Sequence, residues 1–383
     1  MKRPRNWNEF CPNPNCSDCG KKCQGNISSI ATYETKSGTR RIFKCSTCGK
    51  GFSETRGTIF FDLRTEEDKV LLVIKLRLKR MTIADIAEVL EVTEETVLRW
   101  LERAYSKSKE INEYLLRNLK VTQVQLDELW TFVRRKISKD AKQGEVESPP
   151  ESCDGRQWWW VGFDPESRLL LSVVVGPRCY QVALQLIQAI SIIVCGIPVF
   201  FSDGLPFYKQ ALLAVYRRII NFPRTGHPGR PRGSEVVPHP QLAYGQVIKS
   251  HSKKNGLRII SRIIWGADKI KQLGLKISTS LIERLNLTLR QSLAPLARKS
   301  LAFAKKKANL QGLAYLFQAY YNLVRSHSSL SRLLRSEEQK QYGCISCKWK
   351  PVTPGMEAEI TDHVWSFKEL FVFKIPPNFC GTL

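Results

Sequence analysis

The chain has 383 residues, enough for two or three domains, and its 43% hydrophobic and 10% aromatic content excludes wholesale disorder. Sixty Lys and Arg stand against 35 Asp and Glu, a formal charge of +25, which points to a polyanionic partner. The uncharged stretch between Arg178 and Asp203 is interrupted by Gln181, Gln185, Gln188, Gly196 and Pro198. It reads as an amphipathic helix and a short buried strand rather than a membrane span. No apolar run follows the basic first residues, so no signal peptide is expected.

Residues 8–57 are Cys-rich, holding six of the twelve cysteines. In a large chain without an export signal that pattern points to metal in a reducing cytoplasm. Cys45-Ser46-Thr47-Cys48 is a Cys-x2-Cys knuckle, and Cys11-x4-Cys16 lies upstream across a gap suited to a small ribbon of strands. Two such pairs make a closed thiolate site for structural Zn²⁺. Cys16-x2-Cys19 has equally good spacing, and Cys23 is nearby. The preferred ligands are Cys11, Cys16, Cys45 and Cys48.

Residues 60–118 change to helical periodicity. Thr82 is a natural N-cap, with Asp85 three residues on, for a helix whose apolar face is Ile83, Ile86, Ala87 and Leu90. Thr93 can cap a second helix with Val97, Trp100 and Leu101 inward. This is the pattern of a helix-turn-helix that places its second helix in a DNA major groove, with Arg99 and Arg103 as candidate contacts, or of a plain helical hairpin. Glu91 in the turn, where Gly is common, and the acidic opening Glu94-Glu95 fit a DNA reader poorly.

From residue 121 the texture becomes α/β. Strands are expected at 121–134, 157–163 and 169–175, a helix at 180–194, a strand at 198–202 and a helix at 206–219. A basic loop at 222–240 and a long helical region at 279–333 follow. Asp127 lies inside an apolar strand and Asp203 closes another, positions costly for a carboxylate unless it is paired or metal-bound. Glu283 shares a helix face with Asn286 and Arg290. Alternation along the strand sends Asp127 and Glu128 to opposite faces, so only one of them is expected in a site. Three converging carboxylates can hold two Mg²⁺ or Mn²⁺ ions for in-line phosphoryl transfer.

The order of Cys-rich ribbon, helix pair and Leu126-Asp127-Glu128-Leu129-Trp130, then Phe201-Ser202-Asp203-Gly204 and Ile282-Glu283-Arg284-x-Asn286, resembles bacterial insertion-sequence transposases of the DDE type. Tyr321-Asn322-x2-Arg325-x-His327 and Thr353-Pro354-Gly355-Met356 are similar to later segments of that group. The resemblance implies a multidomain chain: zinc ribbon (8–57), helix-turn-helix domain (60–118), α/β RNase H-like catalytic domain (121–335) and C-terminal tail (336–383). It implies Asp127, Asp203 and Glu283 as the metal-binding triad. It also implies double-stranded DNA, both element ends and target, as partner, a homo-oligomer on DNA, and a nucleoid-associated place in a bacterial or archaeal cytoplasm. A DNA-binding regulator without catalysis and an RNase H-like nuclease without joining activity are the alternatives.

Residues 209–276 carry fourteen Lys and Arg against Glu235 and Asp268 alone, so DNA is expected to run beside the site. Within them Arg230-Pro231-Arg232 resembles a minor-groove AT-hook, or is a plain solvated basic loop between elements. Arg290, Lys305, Lys306 and Lys307 are expected DNA contacts, and Cys344-x2-Cys347 has the spacing of a metal pair without a second pair to complete it.

Overall fold

The structure is a computed structural model, and it describes residues 7–134, 155–222, 233–252, 256–298, 301–334 and 348–377. Arg230, Arg232, Cys344 and Cys347 lie outside the described residues.

Strands β1 (Ile27–Thr35), β2 (Gly38–Cys45) and β3 (Gly51–Ser53) form an antiparallel sheet. The register sets Ile27 opposite Cys45 and Phe43 opposite Phe52. Those side chains, with Cys11, Cys16 and Cys19, are the whole buried cluster of this unit. Gly49 has φ +72, and its N–H bonds the Cys45 carbonyl at 2.8 Å, which closes the knuckle. An Arg40–Glu67 ion pair and Lys374 Nζ to Glu9 at 2.6 Å tie the ribbon to its neighbours.

Helices α1 (Glu67–Arg77), α2 (Ile83–Val89) and α3 (Glu94–Leu115) follow. Thr82 and Asp85 form a capping box, and Thr93 caps α3. Glu91 takes φ +52, so the turn between α2 and α3 is left-handed despite the side chain, a conformation glycine adopts at less cost. At 22 residues α3 is about 33 Å long. Its first half buries Val97, Trp100 and Leu101. Farther along, Asn112 Nδ2 donates to the Tyr315 carbonyl at 3.0 Å and to Gln318 Oε1 at 3.1 Å. The opening of α3 faces another part of the chain: Glu94 pairs with Lys305 at 3.4 Å, and a cavity of about 510 Å³ is shared with Pro295, residues 301–306 and Leu310. Trp100 and Leu101 belong to one apolar cluster with Leu129, Trp159 and Leu313, so these helices and the sheet share a core.

That sheet has six strands: β4 (Gln123–Val133), β5 (Gly155–Asp164), β6 (Leu169–Gly176), β7 (Val199–Asp203), β10 (Ala243–Ser252) and β11 (Gly256–Trp265). Their order is β11-β10-β7-β4-β5-β6, with β4, β7 and β10 parallel and the other pairings antiparallel. A mixed sheet of this order, flanked by helices, is consistent with an RNase H-like domain. Val124 and Leu126 pack with residues of α4 (Tyr180–Ile193) and α5 (Pro206–Val215). Helix α6 (Ala267–Gln272) follows β11, and Leu129 and Val133 cluster with α7 (Ser280–Ser292) and α8 (Lys307–Ala319) on the other face.

Two expectations change, and one stretch without an expected element gains one. The helix expected at 206–219 ends at Val215, and Arg217–Ile220 is a strand, β8, paired with β9 (Glu235–Pro238). Residues 241–265, which stand out in the sequence only for their charge, form the β10–β11 hairpin. Its alternation is hard to see because Ile259, Ile260 and Ile263 all stay exposed. The helical stretch at 279–333 breaks after Ser292, where Pro295 sits in a short 3-10 turn, and α8 then runs on into a π-helical turn at Tyr320–Val324.

Edge strand β6 is sealed by side-chain amides. Gln311 accepts from Val175 N at 2.8 Å and donates to the Val173 carbonyl at 3.1 Å. Gln318 donates to the Leu171 carbonyl at 2.7 Å, and Asn322 binds both backbone groups of Leu170 at 2.9 Å. Satisfied in this way, the edge offers no template to another strand.

Candidate active site at the carboxylate cluster

The parallel register of β4 and β7 pairs Leu126 with Ser202 and so brings Asp127 beside Asp203 at the end of β7. The Asp203 carboxylate is steadied by the Leu205 N–H at 3.0 Å. Asp127 accepts from its neighbour Glu128 N at 2.9 Å and from Asn286 Nδ2 at 2.6 Å.

Glu128 corrects the expectation drawn from alternation. Its backbone faces away from α7, yet a carboxylate oxygen from each of Asp127, Glu128 and Asp203 lies within 4.8 Å of the others. Because β7 stops at Asp203, the longer Glu128 side chain reaches past the end of that strand. Glu128 is held there: its side chain is 5% exposed, and it accepts from Arg178 Nε at 3.0 Å and Tyr208 OH at 3.0 Å.

Glu283 is not in that group of three. It stands on α7 and bonds Lys249 Nζ at 2.5 Å and Thr279 Oγ1 at 3.0 Å. Asp127, Glu128 and Glu283 nevertheless line one open cleft of about 650 Å³, together with Arg80, Asn286, Arg290 and Arg298. Burial, then Glu128, Asp203 and Glu283, push the Asp127 carboxyl up to about 7. Clustered acids of this kind need a proton or a cation. Asn286 turns Nδ2 to Asp127 and leaves its buried Oδ1 without a partner, an oxygen suited to a hard cation. The residues present therefore fit divalent metal.

The other expected DNA contacts are scattered. Arg290 lines the cleft, where burial and Arg298 lower its affinity for its proton. Arg99 is exposed on α3, while Arg103 Nη1 is occupied by the Phe61 carbonyl at 2.6 Å. Lys305 meets Glu94, and Lys306 and Lys307 open α8. Sequence reasoning gave no role to Arg80, Arg178, Lys249, Arg298 or Tyr208. Arg80 reaches the cleft from a left-handed turn (φ +69) between α1 and α2, which leaves no mark in the hydrophobic pattern.

In the ribbon, Cys11, Cys16, Cys45 and Cys48 bring their sulfurs within 4.8 Å of one another. Cys11 and Cys48 are 3.6 Å apart, and Cys16 and Cys45 3.9 Å. A tetrahedron with Zn–S near 2.3 Å has edges of about 3.8 Å, so the set fits that ion. The Lys50 N–H and the Asn13 amide hold the Cys48 thiol down at about 6, and burial raises Cys11 well above its ordinary value. Cys19 is buried beside this set but outside it, and Cys23 is exposed.

No family model and no curated protein matches the chain. Among solved structures it is similar to a Mos1 transposase paired-end complex with left transposon end, at 17% identity and a TM-score of 0.15, covering 39% of this chain and 56% of that one. It is also similar to the Mos1 strand transfer complex, at 18% identity and a TM-score of 0.16, covering 39% and 55%, and to a Mos1 mariner paired-end complex with Mn, at 18% and 0.15, covering 40% and 57%. The chain thus spans little more than half the length of those it matches. At these TM-scores the likeness is too slight to assign a function, and the side-chain geometry and charge of the cleft carry the functional reading.

Proposed function

We propose that this chain is a transposase that cuts DNA at the ends of its own element and joins those ends to target DNA. The observation that carries the reading is the meeting of Asp127 and Asp203 at the end of adjacent parallel strands, with Glu283 across a cleft rimmed by Arg80, Arg290 and Arg298, in a chain of net charge +25. Asp127, Asp203 and Glu283 are the proposed metal ligands. Divalent Mg or Mn ions held there would supply charge neutralisation for in-line displacement at phosphorus.

The chain's own groups do the rest. Asn286 orients Asp127, and Arg178 with Tyr208 holds Glu128 beside Asp127 and Asp203. The cleft arginines hold the phosphodiester on both sides of the scissile bond. Water attack releases a 3′-hydroxyl and leaves a 5′-phosphate. That hydroxyl then attacks a target phosphodiester, forming one P–O bond while the target's own 3′-oxygen leaves. Lys249 occupies Glu283 by an ion pair, so closing on DNA requires Lys249 to exchange that carboxylate for a phosphate. In this reading Zn²⁺ at Cys11, Cys16, Cys45 and Cys48 folds the ribbon, which with α2 and α3 recognises the element ends, and oligomerisation brings two ends together.

The test incubates the protein with Mg²⁺ or Mn²⁺ and a plasmid bearing its gene and native flanks, beside Asp203→Ala, and sequences new junctions. Metal-dependent junctions at fixed flanking positions, absent with the variant, are expected. Cleavage without junctions would leave a nuclease, and normal joining by Asp203→Ala would remove that residue from the site.

A further inference from the structure

Past the carboxylates, strand β4 carries an aromatic strip for which cleavage and joining have no use. On the face that holds Glu128, the next two outward residues are Trp130 and Phe132, both partly exposed although Val124 and Leu126 below them are fully buried. The rings of Trp130 and Phe132 lie 5.5 Å apart. Phe303 continues the strip from a neighbouring segment, 5.4 Å from Phe132 and stacked on it at 29°. That segment runs along the end of β4, with Arg134 N bonded to the Ala304 carbonyl at 3.0 Å, and it leaves Phe303 38% and Leu301 92% exposed.

Opposite on β5, Trp158 and Arg156 pair with Trp130 and Phe132. Lys305, its side chain 79% exposed, and Arg134 complete a cationic border. From Glu128 to Phe132 the strand covers about 13 Å, so the strip starts at the cluster and leads away from it. Large apolar rings kept on a surface mark a binding face. Aromatic faces bordered by cations suit bases that stack while their phosphates are neutralised. A duplex hides its base faces, whereas an unpaired strand offers them.

We propose that an unpaired DNA strand leaving the carboxylate cluster stacks its bases on Trp130, Phe132 and Phe303. The inference rests on the DNA-cleaving reading of the cleft and adds the form of the substrate: next to the scissile phosphate, the strand is unpaired. Arg134, Arg156 and Lys305 follow its phosphates.

The experiment measures anisotropy of a dye-labelled thymidine 20-mer, and of a duplex of equal length, with the full zinc-loaded chain in buffer without Mg²⁺ or Mn²⁺. Phe303→Ala and Trp130→Leu are each expected to weaken single-strand binding about tenfold and to leave duplex binding within about twofold, while Trp130→Phe restores it. Equal losses on both DNAs, or none on the single strand, overturn the proposal and leave the strip to a protein partner. Should either variant fail to fold, photo-crosslinking of a 5-iododeoxyuridine oligonucleotide to the unaltered chain decides. Crosslinks at residues 130–132 or 301–303 support the platform, and crosslinks only elsewhere refute it. Cleavage is not read in these assays, so a failure of the catalytic assignment shows in the plasmid test and a failure of the platform shows here.

Discussion

The four ribbon cysteines come from residues 11–48 and share a core with Ile27, Phe43 and Phe52, whereas Asp127, Asp203 and Glu283 span residues 127–283 and rest on a six-stranded sheet. The ribbon has a small apolar core around its thiols, so a metal bound there would be part of its fold. The carboxylates rest on a core that exists without them, so their repulsion is held in the fold and a cation bound there would relieve it. One cluster would stabilise by binding metal, the other costs stability until it binds.

The largest effect should come from removing metal from the ribbon. Chelation, or Cys45→Ser, should open residues 7–57 to protease while the sheet stays protected, because structural zinc binding contributes on the order of 10–16 kcal/mol. A ribbon equally resistant without zinc would erase the contrast. Next, Asp203→Ala should reduce strand cleavage by at least about 10²-fold, the scale of losing one preorganised charge-stabilising group. Its thermal midpoint should be kept or raised, since a repulsive charge has gone.

Gln318→Leu tests the frame beneath the carboxylates. It removes the donor to the Leu170 and Leu171 carbonyls and the acceptor for Asn112, and should cost about 2–3 kcal/mol in urea unfolding.

The stored repulsion should appear in pH dependence. Asp127 titrates at about 7 in the folded chain, against an ordinary value near 4. Between those values the folded state keeps a proton that the unfolded state has released. In buffer without Mg²⁺ or Mn²⁺, with the ribbon cysteines left zinc-loaded, its contribution to stability is therefore full below about pH 4, is lost progressively up to about pH 7 and stays lost above. Thermal melts should show this slope, and Asp127→Asn or added Mg²⁺ should flatten it. Smallest is Glu91→Gly, which relieves the left-handed turn but loosens the unfolded chain, for a net gain of at most about 1 kcal/mol.

Much of this molecule was legible in its residues because the signals were local. The Thr82–Asp85 box, the strand ending at Asp203 and the α7 face carrying Glu283, Asn286 and Arg290 each follow from a few adjacent side chains. The β10–β11 hairpin leaves little trace in the sequence because Ala243, Tyr244 and Val247 on β10 are buried while Ile259, Ile260 and Ile263 on β11 stay exposed, which removes the alternation that reveals a strand.

The amino-acid sequence by itself determined which residues could bear charge or metal, and in which local element each sits. Tertiary structure alone decided which of them meet. Glu128 joins Asp127 and Asp203 because β7 ends one residue too soon to block it. Glu283 is drawn to Lys249 because β10 lies beside β7. Arg80 reaches the cleft, and the opening of α3 turns toward Lys305, because the helices and the sheet share one core. Strand order and strand length set those distances, and neither is written in the spacing of residues along the chain.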